Sequence, residues 1–115
     1  MGLVQFDADE DRIVSETYSQ GRGPVLRSDN LEITKIRFAK GESAKVHQHK
    51  EEQVMYILSG RIRATLGNEE YEVGPGEATF NPANTPHSLQ ALEDTVGLSV
   101  KNHVAPIYTE TGRLA

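Results

Sequence analysis

The chain of 115 residues contains no cysteine and no tryptophan. Without thiols it can form neither disulfides nor thiolate metal sites, so any metal ligand must be a nitrogen or an oxygen atom. It also lacks an apolar run of the roughly 20 residues needed to cross a bilayer. The first twelve residues are acidic, whereas a secretory signal begins with basic residues. Phe6 stands where a myristoylation signal has Ser or Thr. We therefore expect a cytoplasmic protein with no membrane partner.

Positive charge is also scarce. The chain has 12 Lys and Arg residues and 17 Asp and Glu residues, which gives a net charge of −5. A nucleic-acid-binding surface needs excess positive charge to displace counterions from phosphates, so this class of protein is excluded. The chain is long enough to bury one hydrophobic core but not two, and we predict a single domain.

Short alternating segments dominate the sequence, and no convincing apolar stripe of helical period is present. Strands separated by Gly and Pro every eight to twelve residues are typical of an all-β barrel or sandwich. In segment 53–58 both faces are apolar, as expected of a strand between the interior and a second layer, either N-terminal strands or another subunit. The predicted strands are 13–18 at an edge, 31–38, 53–58, 61–66 and 70–73 joined as a hairpin, 78–80, 88–92 and 96–100.

Three histidines and a glutamine form a candidate metal site. His47 and His49 are two residues apart, so on a strand both imidazoles would leave the same face. Gln53 has the same parity and would add a carbonyl oxygen if the extended run continues. His87 comes from far along the chain, in a segment restrained by two prolines. Three imidazoles and one oxygen suit a divalent first-row metal ion.

Other interpretations of the same residues remain open. A His-x-His pair flanked by lysines and acids is also compatible with a solvated strand edge. Either Glu51 or Glu52 is an alternative to Gln53 as the oxygen ligand, although Glu52 has the opposite parity and a bend is expected at Glu51. His103 lies apart from these residues, and we predict that it is an ordinary strand or surface histidine.

The spacing from Gly41 to Gly60, with His47, His49 and Gln53 between them, resembles the first motif of the cupin superfamily. Most members of that superfamily carry Glu at the position of Gln53.

A later segment resembles the second cupin motif. It contains Gly76, Pro82, Asn84 and His87, with Asn84 at a position usually given to Gly and Ala91 where Asn is common. The two motifs and the segment between them cover about half of the chain. The resemblance implies a double-stranded β-helix, or jelly-roll barrel, whose lumen holds the metal ion. It also implies a homodimer, since many small cupins associate through exposed sheet edges.

Within the single domain that the resemblance implies, we expect an acidic arm and edge strands over 1–30, the barrel over 31–104 and a tail over 105–115. The tail is expected to cap the barrel or to reach a neighbouring subunit.

A closer resemblance is to the small cupins that linearise unsaturated uronates in pectin and alginate breakdown. That family offers an acid, an aromatic residue and an arginine near its substrate, where this chain has Ser99, Lys101 and Ala105. The acid that would move protons is therefore missing from its expected position. The residues that carry this resemblance are His47, His49, Gln53, Tyr56, Gly60, Pro86, His87 and the turn 91–95.

The lack of charge on the four proposed ligands determines the type of reaction that we expect at the metal ion. Three imidazoles and an amide leave the charge of a divalent cation uncompensated, which predicts strong Lewis acidity and non-redox chemistry. We expect an isomerase, a lyase or a hydrolase for a small oxygen-rich, sugar-acid-like substrate, with Tyr56, Arg63 and Lys101 as candidates to bind it or relay protons. Zn, Ni, Fe, Cu and Mn are all compatible with such ligands. The alternatives are a dioxygenase that uses the same metal site and a non-catalytic barrel that binds a small ligand.

Overall fold

The computed structural model describes residues 2–8 and 18–103, and these residues are almost entirely extended. No helix among them is long and apolar enough to cross a membrane. The edge strand predicted over 13–18 lies outside the described residues except for Tyr18, which is a turn residue, and so does the tail over 105–115. The described elements are a short 3-10 turn, Phe6–Ala8, and strands β1 (Val25–Arg27), β2 (Leu31–Phe38), β3 (Ser43–His47), β4 (Gln53–Ser59), β5 (Ile62–Leu66), β6 (Glu69–Val73), β7 (Ala78–Asn81), β8 (His87–Ala91) and β9 (Thr95–Asn102).

Two antiparallel sheets make up the barrel. One has the strand order β1-β2-β9-β4-β7 and the other has the order β3-β8-β5-β6. From β2 to β9 the chain alternates between the sheets, with the β5–β6 hairpin as the exception. This alternation is the jelly-roll arrangement, so the predicted fold class is confirmed. The predicted hairpin is confirmed as well, with Ile62 paired to Val73 and Leu66 paired to Glu69.

The apolar core occupies one part of the space between the sheets. Ile57 and Ile62, from opposite sheets, are each only 1% exposed. Burial on this scale, worth about 1.5–3 kcal/mol for each large aliphatic side chain, holds the two sheets together. The core residues are Ile36, Phe38, Met55, Ile57, Ile62, Ala64, Val73 and Ala91.

The inner face of the five-stranded sheet changes from apolar to polar along its strands. Side chains on one face of a sheet recur every second residue, so each inward-facing row contains one residue from each strand. The row at Ile36 and Ile57 is apolar, and the next, with Thr34, Ser99, Met55 and Thr79, is mixed. The following row is polar on all five strands and consists of Arg27, Glu32, Lys101, Gln53 and Asn81.

The outer face of the same sheet shows the opposite pattern. Beside the polar inner row runs an outward-facing row that is apolar on every strand, and Phe80 in it is 50% exposed. The outward-facing side chains of segment 53–58 are exposed, so no described part of the chain forms the predicted second layer over them. The row consists of Leu26, Ile33, Val100, Val54 and Phe80.

Two glycines of similar backbone conformation provide a test of this packing. Gly60 and Gly41 have φ values of 87° and 90°, a region that costs other residues about 1–2 kcal/mol. A Cβ at Gly60 would lie 2.3 Å from the carbonyl oxygen of Asp94, whereas a Cβ at Gly41 would meet nothing within 4 Å. Gly60→Ala should therefore lower the free energy of unfolding by about 1–3 kcal/mol more than Gly41→Ala, as measured by urea denaturation. Equal losses in the two variants would contradict this packing.

Candidate metal centre

Three histidines converge inside one part of the barrel. His47 and His87 are directly paired across the adjacent strands β3 and β8. Their ring centroids are 4.2 Å apart, and the centroid of His49 lies 4.8 Å from that of His87 and 5.5 Å from that of His47. One nitrogen from each ring lies within 4.8 Å of the other two. The structure thus brings together the three histidines that the sequence motifs singled out.

The prediction that His49 lies on the same strand face as His47 was wrong. Strand β3 ends at His47, and its pairing with β8 is irregular between Ala44 and His47, so His49 lies on the connection to β4. Its backbone is instead held by a hydrogen bond from Asn84 N to His49 O of 2.7 Å. Asn84 has a φ of 59°, and Asn tolerates this left-handed region better than most residues do. This conformation explains why Asn can stand where related sequences usually have Gly.

A backbone carbonyl fixes the proton on each ring. The Nδ1 atoms of His47, His49 and His87 lie 2.6, 2.9 and 2.9 Å from the carbonyl oxygens of residues 45, 51 and 85. Because a carbonyl oxygen can only accept, each Nδ1 must carry the proton, and each Nε2 of a neutral ring keeps a lone pair. The Nε2 atoms of His49 and His87 are buried and have no hydrogen-bond partner. An unpartnered buried nitrogen costs about 1–3 kcal/mol, so these atoms fit the ligands of a divalent first-row metal ion.

Burial keeps the three rings neutral. Loss of hydration lowers the pKa of all three, and that of His47 falls to about 4. The hydrogen bonds from Nδ1 to the carbonyl oxygens oppose this shift, while the positive charge of Lys101 adds to it. The rings are therefore uncharged near neutral pH and can bind a cation without first losing a proton.

Gln53 faces the histidines from β4, in the opposite sheet, and lines the same cavity. Its Nε2 donates a 2.7 Å hydrogen bond to Ser99 Oγ, and its Oε1 accepts a longer bond of 3.4 Å from Asn81 Nδ2. Since a carbonyl oxygen has two lone pairs, Oε1 keeps capacity for a further partner.

The two neighbouring acids do not join the histidine group. Glu52 is exposed. Glu51 is only 1% exposed, and its carboxylate oxygen lies 3.7 Å from Nδ1 of His49, the ring nitrogen that already faces a carbonyl. His103 follows β9, is buried rather than on the surface, and lies outside the group.

The interior cavity beside the histidines has a volume of about 50 Å³. Because a cavity needs about 10–15 Å³ to hold one water molecule, this cavity would hold roughly four. Its polar wall includes the three histidines, Gln53, Asn81, Ser99, Glu32 and Lys101, and its apolar wall includes Ile36, Phe38, Met55 and Ile62.

Of the three residues proposed to bind substrate or relay protons, only Lys101 lines this cavity. Tyr56 is 42% exposed on the outer face of the five-stranded sheet, and Arg63 is exposed on β5. The structure therefore does not bring Tyr56 or Arg63 to the histidines. Sequence reasoning missed Glu32, although its parity with the apolar residues Ile36 and Phe38 of the same strand was a signal for an inward-facing side chain.

Comparison with known proteins adds a family and several relatives. The cupin domain family, Cupin_2, matches residues 34–100. Oxalate decarboxylase OxdC of Bacillus subtilis is 35% identical over 72 residues, 58% of this chain and 19% of its own. Quercetin 2,3-dioxygenase of the same species is 30% identical over 105 residues, 88% of this chain and 30% of its own. The chain thus spans less than a third of the length of these two curated relatives. The solved structure of KdgF from Halomonas sp. matches with a TM-score of 0.74 and 22% identity, and the match covers 83% of this chain and 86% of that one.

The low pKa of His47 predicts a pH dependence of stability in metal-free protein. Between pH 6.5, the ordinary pKa, and about 4, the unfolded chain binds a proton at this position that the folded chain does not. The free energy of unfolding should therefore fall as the pH is lowered through this interval, as measured by urea denaturation in the presence of a chelator. His47→Gln should give a shallower pH dependence. Identical slopes for this variant and the unaltered protein would contradict the assignment.

Proposed function

The chain belongs to the cupin domain family, and we propose that it is a metal-dependent enzyme of the isomerase or lyase type that acts on a small, oxygen-rich anion. The observation that carries this proposal is the convergence of three histidines whose protons are fixed on Nδ1. His47, His49, His87 and Gln53 would hold one divalent ion, with Zn, Ni, Fe, Cu and Mn all compatible. When bound, such an ion would polarise a substrate oxygen and lower the pKa of bound water.

The charges around the cavity support an anionic substrate. All four proposed ligands are neutral, so the ligands themselves do not cancel the charge of the cation. The carboxylate of Glu51 lies on the Nδ1 side of His49, away from the nitrogen that would bind metal. Lys101 adds a positive charge to the same cavity.

The size of the cavity supports a small substrate. Its volume of about 50 Å³ accommodates an ion and a group of a few non-hydrogen atoms, such as a carboxylate. Pockets for drug-sized ligands are several times larger, at about 300–1,000 Å³. The motif resemblance to uronate-linearising cupins favours a sugar acid as the substrate, but Ser99 stands where that family has its acid. The likeness to KdgF supports the fold alone.

A dioxygenase is the second candidate. It is favoured by the 30% identity to quercetin 2,3-dioxygenase over 88% of this chain. The small cavity counts against a polycyclic substrate, so we place this activity second.

Metal content is the first test. Protein purified without added metal should contain close to one divalent ion per chain by elemental analysis, and His87→Ala should lose most of it because one imidazole ligand is removed. Gln53→Ala should weaken binding at least about tenfold, whereas Gln53→Glu should retain it. His103→Ala is the matched control, since it removes a buried histidine outside the group. Full retention of metal in a folded His87→Ala variant would remove His87 from the site.

Activity tests then separate the candidates. The metal-loaded protein should consume an unsaturated monouronate, followed as loss of the alkene absorbance, without consuming oxygen. Oxygen uptake with a flavonol would favour the dioxygenase. Tight binding of small anions without turnover of any substrate would favour a ligand-binding barrel.

We further propose that two copies of the chain associate through the outer face of the five-stranded sheet. The apolar row from Leu26 to Phe80 crosses all five strands, and Phe80, Leu26, Val54 and Val100 are between 38% and 50% exposed. Sheets commonly pack face to face, and a twofold axis would place this row against itself.

Val54→Glu should convert the dimer to a monomer, because a buried unpaired carboxylate within the row is costly. Light scattering after size-exclusion chromatography would measure the mass. Val46→Glu is the matched control, since Val46 is 69% exposed on the other sheet. A monomeric unaltered protein, or an equal effect of both substitutions, would contradict this interface.

A further inference from the structure

Lys101 is a buried cation beside the three histidines. It is 9% exposed and lies on β9, in register with Glu32 on one side and Gln53 on the other. Burying an ammonium group is costly unless an opposite charge compensates it. Glu32, itself 3% exposed, supplies a carboxylate oxygen 3.5 Å from Lys101 Nζ.

Glu32 is shared between two cations. Its other oxygen accepts a hydrogen bond of 2.9 Å from Arg27 Nε, a shorter contact than the one to Lys101. The histidines and Gln53 add no negative charge. Among the residues that line the cavity, Lys101 and Glu32 carry opposite charges, so a bound divalent cation would leave a net positive charge there.

The position of Lys101 joins this charge to the candidate metal centre. It lines the same cavity as His47, His49 and His87. A small anion in the cavity would thus lie between the three histidines and Lys101, which is next to the proposed ligand Gln53.

We propose that Lys101 is the anion-binding residue of this cavity, and that its Nζ donates to a carboxylate of a small substrate, which rests on the proposed metal-dependent function. An ammonium group has three N–H donors, so it can contact Glu32 and a ligand together. Glu32 holds the side chain in place, and Arg27 limits how far Glu32 can neutralise it. The substrate class this selects is a compact carboxylate rather than a neutral sugar or a flavonol.

The test compares a small dianion, malonate, with its neutral analogue, malonamide, by calorimetry on metal-free and zinc-loaded protein. Lys101→Met keeps most of the aliphatic stem and removes the charge, so it should weaken malonate binding about tenfold or more. It should leave the weak malonamide signal and the metal content unchanged. Lys101→Arg should stay within about threefold of the unaltered protein, because it keeps a cation at this position. Lys40→Met, which removes an exposed lysine, is the matched control and should have no effect.

The outcomes separate the two proposals. Unchanged malonate affinity in a folded Lys101→Met variant would overturn the role of Lys101 while leaving the metal site intact. Failure of the unaltered protein to bind metal would instead overturn the proposed function. Should Lys101→Met fail to fold, Glu32→Gln gives an independent test: removing the counterion should tighten malonate binding. Unchanged or weaker binding in Glu32→Gln would mean that Lys101 serves only to compensate Glu32.

Discussion

The hydrogen bonds between the three Nδ1 atoms and nearby backbone carbonyls are the constraint on which the candidate centre depends. Each joins a histidine to a residue only two positions away, so the ring orientation is set locally once the backbone is in place. The same bond selects the tautomer, and burial keeps the ring neutral. Orientation, tautomer and charge state of all three rings therefore follow from short-range contacts and burial. The barrel contributes the long-range part by pairing His47 with His87.

The five-stranded sheet has a polar inner row and an apolar outer row side by side. A sheet with one solvated face usually has the reverse pattern, apolar inside and polar outside. In strand β9, Lys101 points into the cavity and the adjacent residue, Val100, points outward. The two-residue period of a strand thus links the charged cavity wall to the surface proposed for association. A shift of one residue in the register of β9 would disrupt both.

Strand alternation, a local signal, predicted an all-β fold and most strand positions, and the resemblance of the two motifs to cupins added the jelly roll and the meeting of the three histidines. The route by which His49 reaches the others was not predictable from parity, since it depends on where β3 ends and on a hydrogen bond from Asn84. The pairing of Lys101 with Glu32 depends on cross-strand register between residues far apart in the chain. The outward orientation of Tyr56, by contrast, is a local signal, since Tyr56 has the opposite parity to the inward-facing Gln53 within β4.

Gln53 and Lys101 are best understood as a matched pair. They are neighbours in the register of β4 and β9, and both line the cavity. A glutamate at position 53, the more common choice in related motifs, would place a carboxylate beside the ammonium group and compete with any bound anion for it. The amide avoids this competition, and Ser99, which accepts a hydrogen bond from Gln53 Nε2, holds it in place. The neutral residue at position 53 therefore adds no second carboxylate beside Lys101, which is consistent with the proposed binding of a small carboxylate there.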